Sequence, residues 1–230
     1  MTSIRTTLSA ALMGATLVLA GCDPTAMPGS LSLLETGSQG AAAPLAAASL
    51  AGGAVVVSGP GGYCVDAKTL RNSDAGGFAA IASCSILSGG RDGPMVEPGL
   101  VTITVSRAPE DVPAPSDLAA ALNTQLLQNR KFSAVDVGLM ASGGESAFQG
   151  SDPRHWRGAF VLGEWMVGLA LYAPKGSPLV GSQGAAFLNT VSSRIRASSP
   201  TPATSAELSQ PSTGALAAQF DRLSEAGDLQ

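Results

Sequence analysis

Residues 156–172, WRGAFVLGEWMVGLALY, read as a β-hairpin. Two apolar runs, 156–162 and 165–172, flank Gly163-Glu164, the Gly-X pair that suits a type II′ turn. In the second run Trp165, Val167, Leu169 and Leu171 fall on one face at a period of two. Met166, Gly168 and Ala170 keep the other face apolar as well, which predicts a central strand covered on both sides. An antiparallel sheet is therefore the frame into which the rest of the chain has to fit.

Upstream, 100–107 (LVTITVSR) is the cleanest strand, with Val101, Ile103 and Val105 alternating with Thr102, Thr104 and Ser106. Short apolar runs at 54–58 (AVVVS) and 78–84 (FAAIASC), and the alternation of Val135, Val137 and Leu139, predict further strands. Gly59-Pro60-Gly61-Gly62 stops the first of these. Ser116 is a candidate N-cap for a helix over 116–129, with Leu118, Ala121, Leu122 and Leu126 at helical spacing. Downstream of the hairpin, Ser177-Pro178 offers an N-cap followed by Pro at N1. The helix it opens runs to about 196, with Val180, Phe187, Val191 and Ile195 on one stripe. Arg194 and Arg196 suit its C-terminal dipole. Gly181 and Gly184 weaken that helix by up to about 1 kcal/mol each unless close packing uses them. Strands, a helix, more strands and a final helix argue for an α+β domain over 54–197: an antiparallel sheet with two packed helices.

The flanks have a different composition. Residues 22–53 contain Asp-Pro, Pro-Gly and the Ala-rich AAAPLAAASLAGG, and read as a flexible tether with a reach of about 30 Å. Residues 198–230 form a tail whose first part, SSPTPATSAELSQPST, is expected to be disordered. Leu216, Phe220 and Leu223 then sit at i, i+4 and i+7, which predicts a short amphipathic helix over 214–226. The net charge of -4 belongs to these flanks. Basic and acidic residues are equal in number within 54–197, and the excess comes from Asp23, Glu35, Glu207, Asp221, Glu225 and Asp228 against Arg5 and Arg222.

At the N-terminus Arg5 precedes an apolar run, 8–20, that ends in Leu19-Ala20-Gly21-Cys22. The run is too short to span a bilayer as a helix and has the layout of a secretory signal. Leu-Ala-Gly-Cys resembles the lipobox of bacterial lipoproteins. The resemblance implies that 1–21 is a lipoprotein signal peptide, cleaved before Cys22, and that Cys22 carries a diacylglyceryl thioether. Lipid on Cys22 anchors the chain to a membrane, since two or more acyl chains hold stably where one does not. Asp23 after the lipidated Cys resembles the enterobacterial signal for retention in the inner membrane, with the domain facing the periplasm. The stretches GPGGYCVD, FAAIASCS and HWRGAFVLGEWMVGLALYAP are similar to those of alphaproteobacterial lipoproteins of the Rhodobacterales type, which bring no established activity. The element order also resembles the PsbP-like domains of some bacterial lipoproteins.

Candidate chemistry is sparse. One His cannot supply a multi-His metal site, no metal or other cofactor is expected, and the acidic balance argues against nucleic acid as a partner. Cys64 and Cys84 are expected to form a structural disulfide, because the compartment is oxidising and their spacing is unlike a CxxC redox motif. Asp66 and Asp152 read as turn residues. His155 is a candidate general base with Asp152 or Glu164, but Ser146 in Gly-Glu-Ser-Ala-Phe fails the nucleophile-elbow pattern at its last position. The blander expectation for His155 is a solvated strand end, with Arg154 and Arg157 as a solvated edge. Gly59-Pro60-Gly61-Gly62 lacks the Gly-Lys-Ser/Thr of a phosphate loop. Trp156 and Trp165 either pack in the hairpin or, with Tyr172, mark a binding face. The leading expectation is a membrane-tethered, non-catalytic periplasmic module that binds or assembles with an envelope partner. The alternatives are an envelope hydrolase using His155 with a nearby carboxylate, and a small-ligand carrier with an apolar cavity between sheet and helices.

Overall fold

The computed structural model describes residues 43–200. Cys22, Asp23, the segment 1–21 and the helix expected at 214–226 lie outside the described residues. The fold is α+β. Strands β1 (Ala47–Leu50) and β2 (Val55–Ser58) pair with each other as a two-stranded antiparallel ribbon. An eight-stranded sheet follows, made of β3 (Tyr63–Val65), β4 (Arg71–Ser73), β5 (Gly76–Ser83), β6 (Leu100–Arg107), β7 (Leu126–Lys131), β8 (Asp136–Met140), β9 (His155–Leu162) and β10 (Trp165–Tyr172). Its order is β3-β5-β6-β10-β9-β8-β7, with β4 also on β5, and every pairing is antiparallel. The helices are α1 (Cys84–Leu87), α2 (Pro115–Ala121) and α3 (Ser182–Ser198). None of the described helices is long and apolar enough to cross a membrane.

The hairpin lies at the centre, as its two apolar faces require: β10 sits between β6 and β9. Gly163 has φ 59° while Glu164 stays at negative φ, the pattern of a II′ turn. Val101, Ile103 and Val105 of β6 share a face with Val167, Leu169 and Leu171 of β10 and with Trp156 and Phe160 of β9; all are buried. Helix α3 covers this face through Ala185, Leu188, Val191 and Ile195. Trp156 is fully buried and donates its indole N–H to the Gly181 carbonyl at 3.1 Å. A Cβ on Gly184 would sit 2.6 Å from Trp156 Cδ1, so this glycine is what lets the helix settle on the indole.

Three expectations need correction. The end of the proposed tether is structured: Ala47–Leu50 is a strand, and Leu50 is fully buried in the core. The domain therefore begins upstream of residue 54, because the edge of β2 needs a hydrogen-bonding partner and the Ala-rich segment supplies it. The helix expected over 116–129 covers only Pro115–Ala121. Its first turn is closed by Asp117, whose Oδ2 accepts from the Ala114 N–H at 2.9 Å, and not by a Ser116 cap. Asn123 then takes a left-handed conformation (φ 51°), which ends the helix, and Leu126–Lys131 turns back to pair with β8. The last helix opens with a 3-10 turn at Pro178–Val180, capped by Ser177, before α3 proper begins at Ser182.

Cys64 and Cys84 are joined in a disulfide with Cα atoms 4.9 Å apart. Antiparallel pairing of β3 with β5 sets Cys64 opposite Ala82, two residues before Cys84. The Cys84 N–H reaches the Gly62 carbonyl at 2.9 Å.

Candidate functional site

The face of the sheet opposite α3 is lined by residues that the core does not use. Strand register sets them in rows. His155 of β9 and Leu100 of β6 flank Tyr172 of β10; Arg157, Ala170 and Thr102 form the next row, and Ala159, Gly168 and Thr104 the one after. Helix α2 and the loop before it lie over one side of these rows. A cavity of about 170 Å³ is left between, lined by Leu118, Pro113, Arg157, Met166, Gly168 and Thr102 among others. Its floor is made of small residues in a central strand, where Gly has little to pack and costs stability.

His155 closes one end of this face. It is 2% exposed, and its ring stacks on Tyr172 with centroids 5.1 Å apart. Arg157 donates from Nε to His155 Nε2 at 3.1 Å and from Nη2 to the Tyr172 hydroxyl at 2.8 Å. A guanidinium only donates, so Nε2 is the acceptor and Nδ1 carries the proton, facing the Pro153 carbonyl at 3.4 Å. Burial, reinforced by the positive charge of Arg157, pushes the His155 pKa down to about 4. The imidazole is neutral near pH 7, and its only lone pair on nitrogen is occupied.

Neither carboxylate expected beside His155 is among its hydrogen-bond partners. Asp152 is held by Arg154, with Oδ1 accepting from the backbone N–H at 2.9 Å and from Nε at 3.0 Å. That contact holds the Asp152 carboxyl below the usual carboxylate range. Glu164 sits at the far end of the hairpin, roughly 25 Å along the strand, and pairs with Arg107. His155 is thus buried, not solvated; Arg154 is engaged by Asp152, and Arg157 by His155 and Tyr172. Trp156 is fully buried and Trp165 is 5% exposed with the Arg107 guanidinium 4.2 Å from its ring centroid, so neither indole offers a free binding face. Asp66 behaves as a turn residue, accepting from the Lys68 N–H at 2.9 Å. Among the described residues no group of three or more His, Cys, Asp or Glu side chains is placed to hold a metal ion.

Sequence reasoning reads Arg157 as a solvated edge and Thr102, Thr104 and Gly168 as strand positions only; the structure gathers all four on this groove. The signal was present in the alternation itself: in the middle of β6 and β10 the positions between the large apolar residues are Thr102, Thr104, Gly168 and Ala170, too small to fill a covered face. No protein-family model, no curated protein and no solved structure matches this chain.

Proposed function

We propose that this chain is a membrane-tethered lipoprotein of the periplasm, held by lipid on Cys22, whose domain is a non-catalytic binding module. Asp23 favours the inner membrane for the anchor. The observation that carries the binding reading is the groove opposite α3, where Arg157 is oriented by His155 and Tyr172 and forms no ion pair with any described carboxylate. A His whose acceptor nitrogen is occupied by a cation is poorly suited to take a proton, which weighs against the hydrolase alternative. The cavity between α2 and the sheet supports a small ligand at the groove. The disulfide agrees with an oxidising compartment.

Metabolic labelling with radioactive palmitate tests the anchor. The wild-type chain is expected to carry label and to sediment with membranes, and Cys22→Ala to lose both. Absence of label from the wild type overturns the lipoprotein reading.

A further inference from the structure

We propose that the groove opposite α3 binds a small monocarboxylate with an apolar body of about six carbons, the carboxylate on Arg157 and the body over Gly168. This rests on the binding-module reading and names the ligand class for that site.

Three observations converge. Arg157 is half-buried, and two of its three nitrogens are tied to the neutral acceptors His155 Nε2 and Tyr172 Oη. These bonds fix the plane of the guanidinium, and apart from the Tyr172 ring, 5.8 Å from it, no negative partner meets its charge: no described carboxylate lies within ion-pair distance. A fixed planar fork with an unspent charge is matched to a planar carboxylate. The Thr102 hydroxyl lies two strands away in the same row, roughly 10 Å between Cα atoms, and lines the same cavity.

The second observation is Gly168. Its φ is not positive, so the backbone does not require glycine. A Cβ built there meets only the Thr104 carbonyl, at 3.8 Å. In a central strand this glycine gives up packing and β propensity without relieving any contact in the chain. Space is what it supplies, the expected mark of a strand approached closely by a ligand.

The third is size. The cavity, about 170 Å³, is close to the roughly 150 Å³ that accommodates benzene in an engineered protein cavity. Leu118, Pro113 and Met166 make its walls apolar. One guanidinium suits a monoanion, whereas a phosphate dianion calls for more positive charge.

The test is a titration of the full isotope-labelled chain with benzoate, hexanoate, benzyl alcohol and inorganic phosphate. It is read by NMR at the amides of Thr102, Gly168 and Ala170 and at Arg157 Nε. Benzoate and hexanoate are expected to shift these signals saturably. Arg157→Gln is expected to weaken that binding about tenfold or more, the loss of one charge-assisted contact. Gly168→Val is expected to abolish it at a thermal midpoint equal to or above that of the wild type, and this arm stands even if Arg157→Gln fails to fold. An equal response to benzyl alcohol, or a stronger one to phosphate, overturns the carboxylate assignment and leaves a binding groove. No response to any probe, or full binding by Gly168→Val, overturns the site itself. Neither result touches the lipid anchor, which palmitate labelling decides separately.

Discussion

Arg157 donates from Nε to Nε2 of His155 at 3.1 Å, so the chain's only histidine serves as a buried neutral acceptor for a neighbouring cation. The folded pKa of about 4 lies below the ordinary value of 6.5, so the unfolded chain binds the proton first as pH falls. His155 therefore contributes its stability in full above about pH 6.5 and loses it progressively down to about pH 4. The loss is at most about 3 kcal/mol over that window. His155→Gln keeps an acceptor without the titration. Urea unfolding of both proteins between pH 7 and 4 is expected to show the wild type losing stability relative to the variant. Parallel pH profiles would exclude the neutral buried imidazole.

The Cys64–Cys84 bond closes a loop whose ends are 20 residues apart in sequence. In the chain-entropy model such a loop stabilises by roughly 3 kcal/mol. Peptide mapping under non-reducing conditions is expected to recover the two cysteines linked. The double change Cys64→Ser with Cys84→Ser is expected to lower the unfolding free energy by about that amount. A midpoint unmoved by both reduction and substitution would contradict a structural role.

Strands were legible where apolar residues alternate with polar ones, as in β6, or where an apolar run is bounded by a turn signal, as in β10. The II′ turn at Gly163-Glu164 was legible because it needs only one residue at positive φ. The failures share a cause in tertiary pairing. Ala47–Leu50 has the composition of a linker, yet the free edge of β2 recruits it. Leu126–Lys131 continues a helical spacing, yet Asn123 breaks the helix and β8 offers an edge. An edge strand exposed on both faces, as β7 largely is, has no hydrophobic alternation to read. At the site, His155 was visible as a residue type, whereas its role depends on which neighbour fills its lone pair. The period of two along β9 puts Arg157 on the same face, and the register of β9 on β10 brings Tyr172 alongside.

Gly184 packs where α3 crosses Trp156. An added Cβ would meet the indole at 2.6 Å and also collide with the Leu179 carbonyl. Neither is the free end of a flexible chain, so the helix has to shift. Gly184→Ala is expected to destabilise by about 1–3 kcal/mol, although Ala is the better helix former by about 1 kcal/mol. Denaturant unfolding checks the sign. A more stable variant would show that the helix can move off the indole at little cost.

Arg196 ties the end of α3 to the sheet. Its Nε and Nη2 both donate to the Ala134 carbonyl, at 3.2 and 3.1 Å, and Nη1 donates to the Val161 carbonyl at 3.1 Å. The guanidinium lies 4.3 Å from the ring centroid of Phe160. These contacts use the plane and the fork of arginine, and an ammonium cannot reproduce them. The charge also lies in the last turn of α3, where it opposes the negative end of the helix dipole. Arg196→Lys keeps that charge and Arg196→Met keeps much of the stem, so the pair separates dipole from clamp. If the clamp dominates, both variants lose about 1–2 kcal/mol, in line with hydrogen bonds from a charged donor. If the dipole dominates, Lys is neutral and only Met loses stability. The geometry predicts the first outcome, read as equal drops in urea midpoint for the two variants.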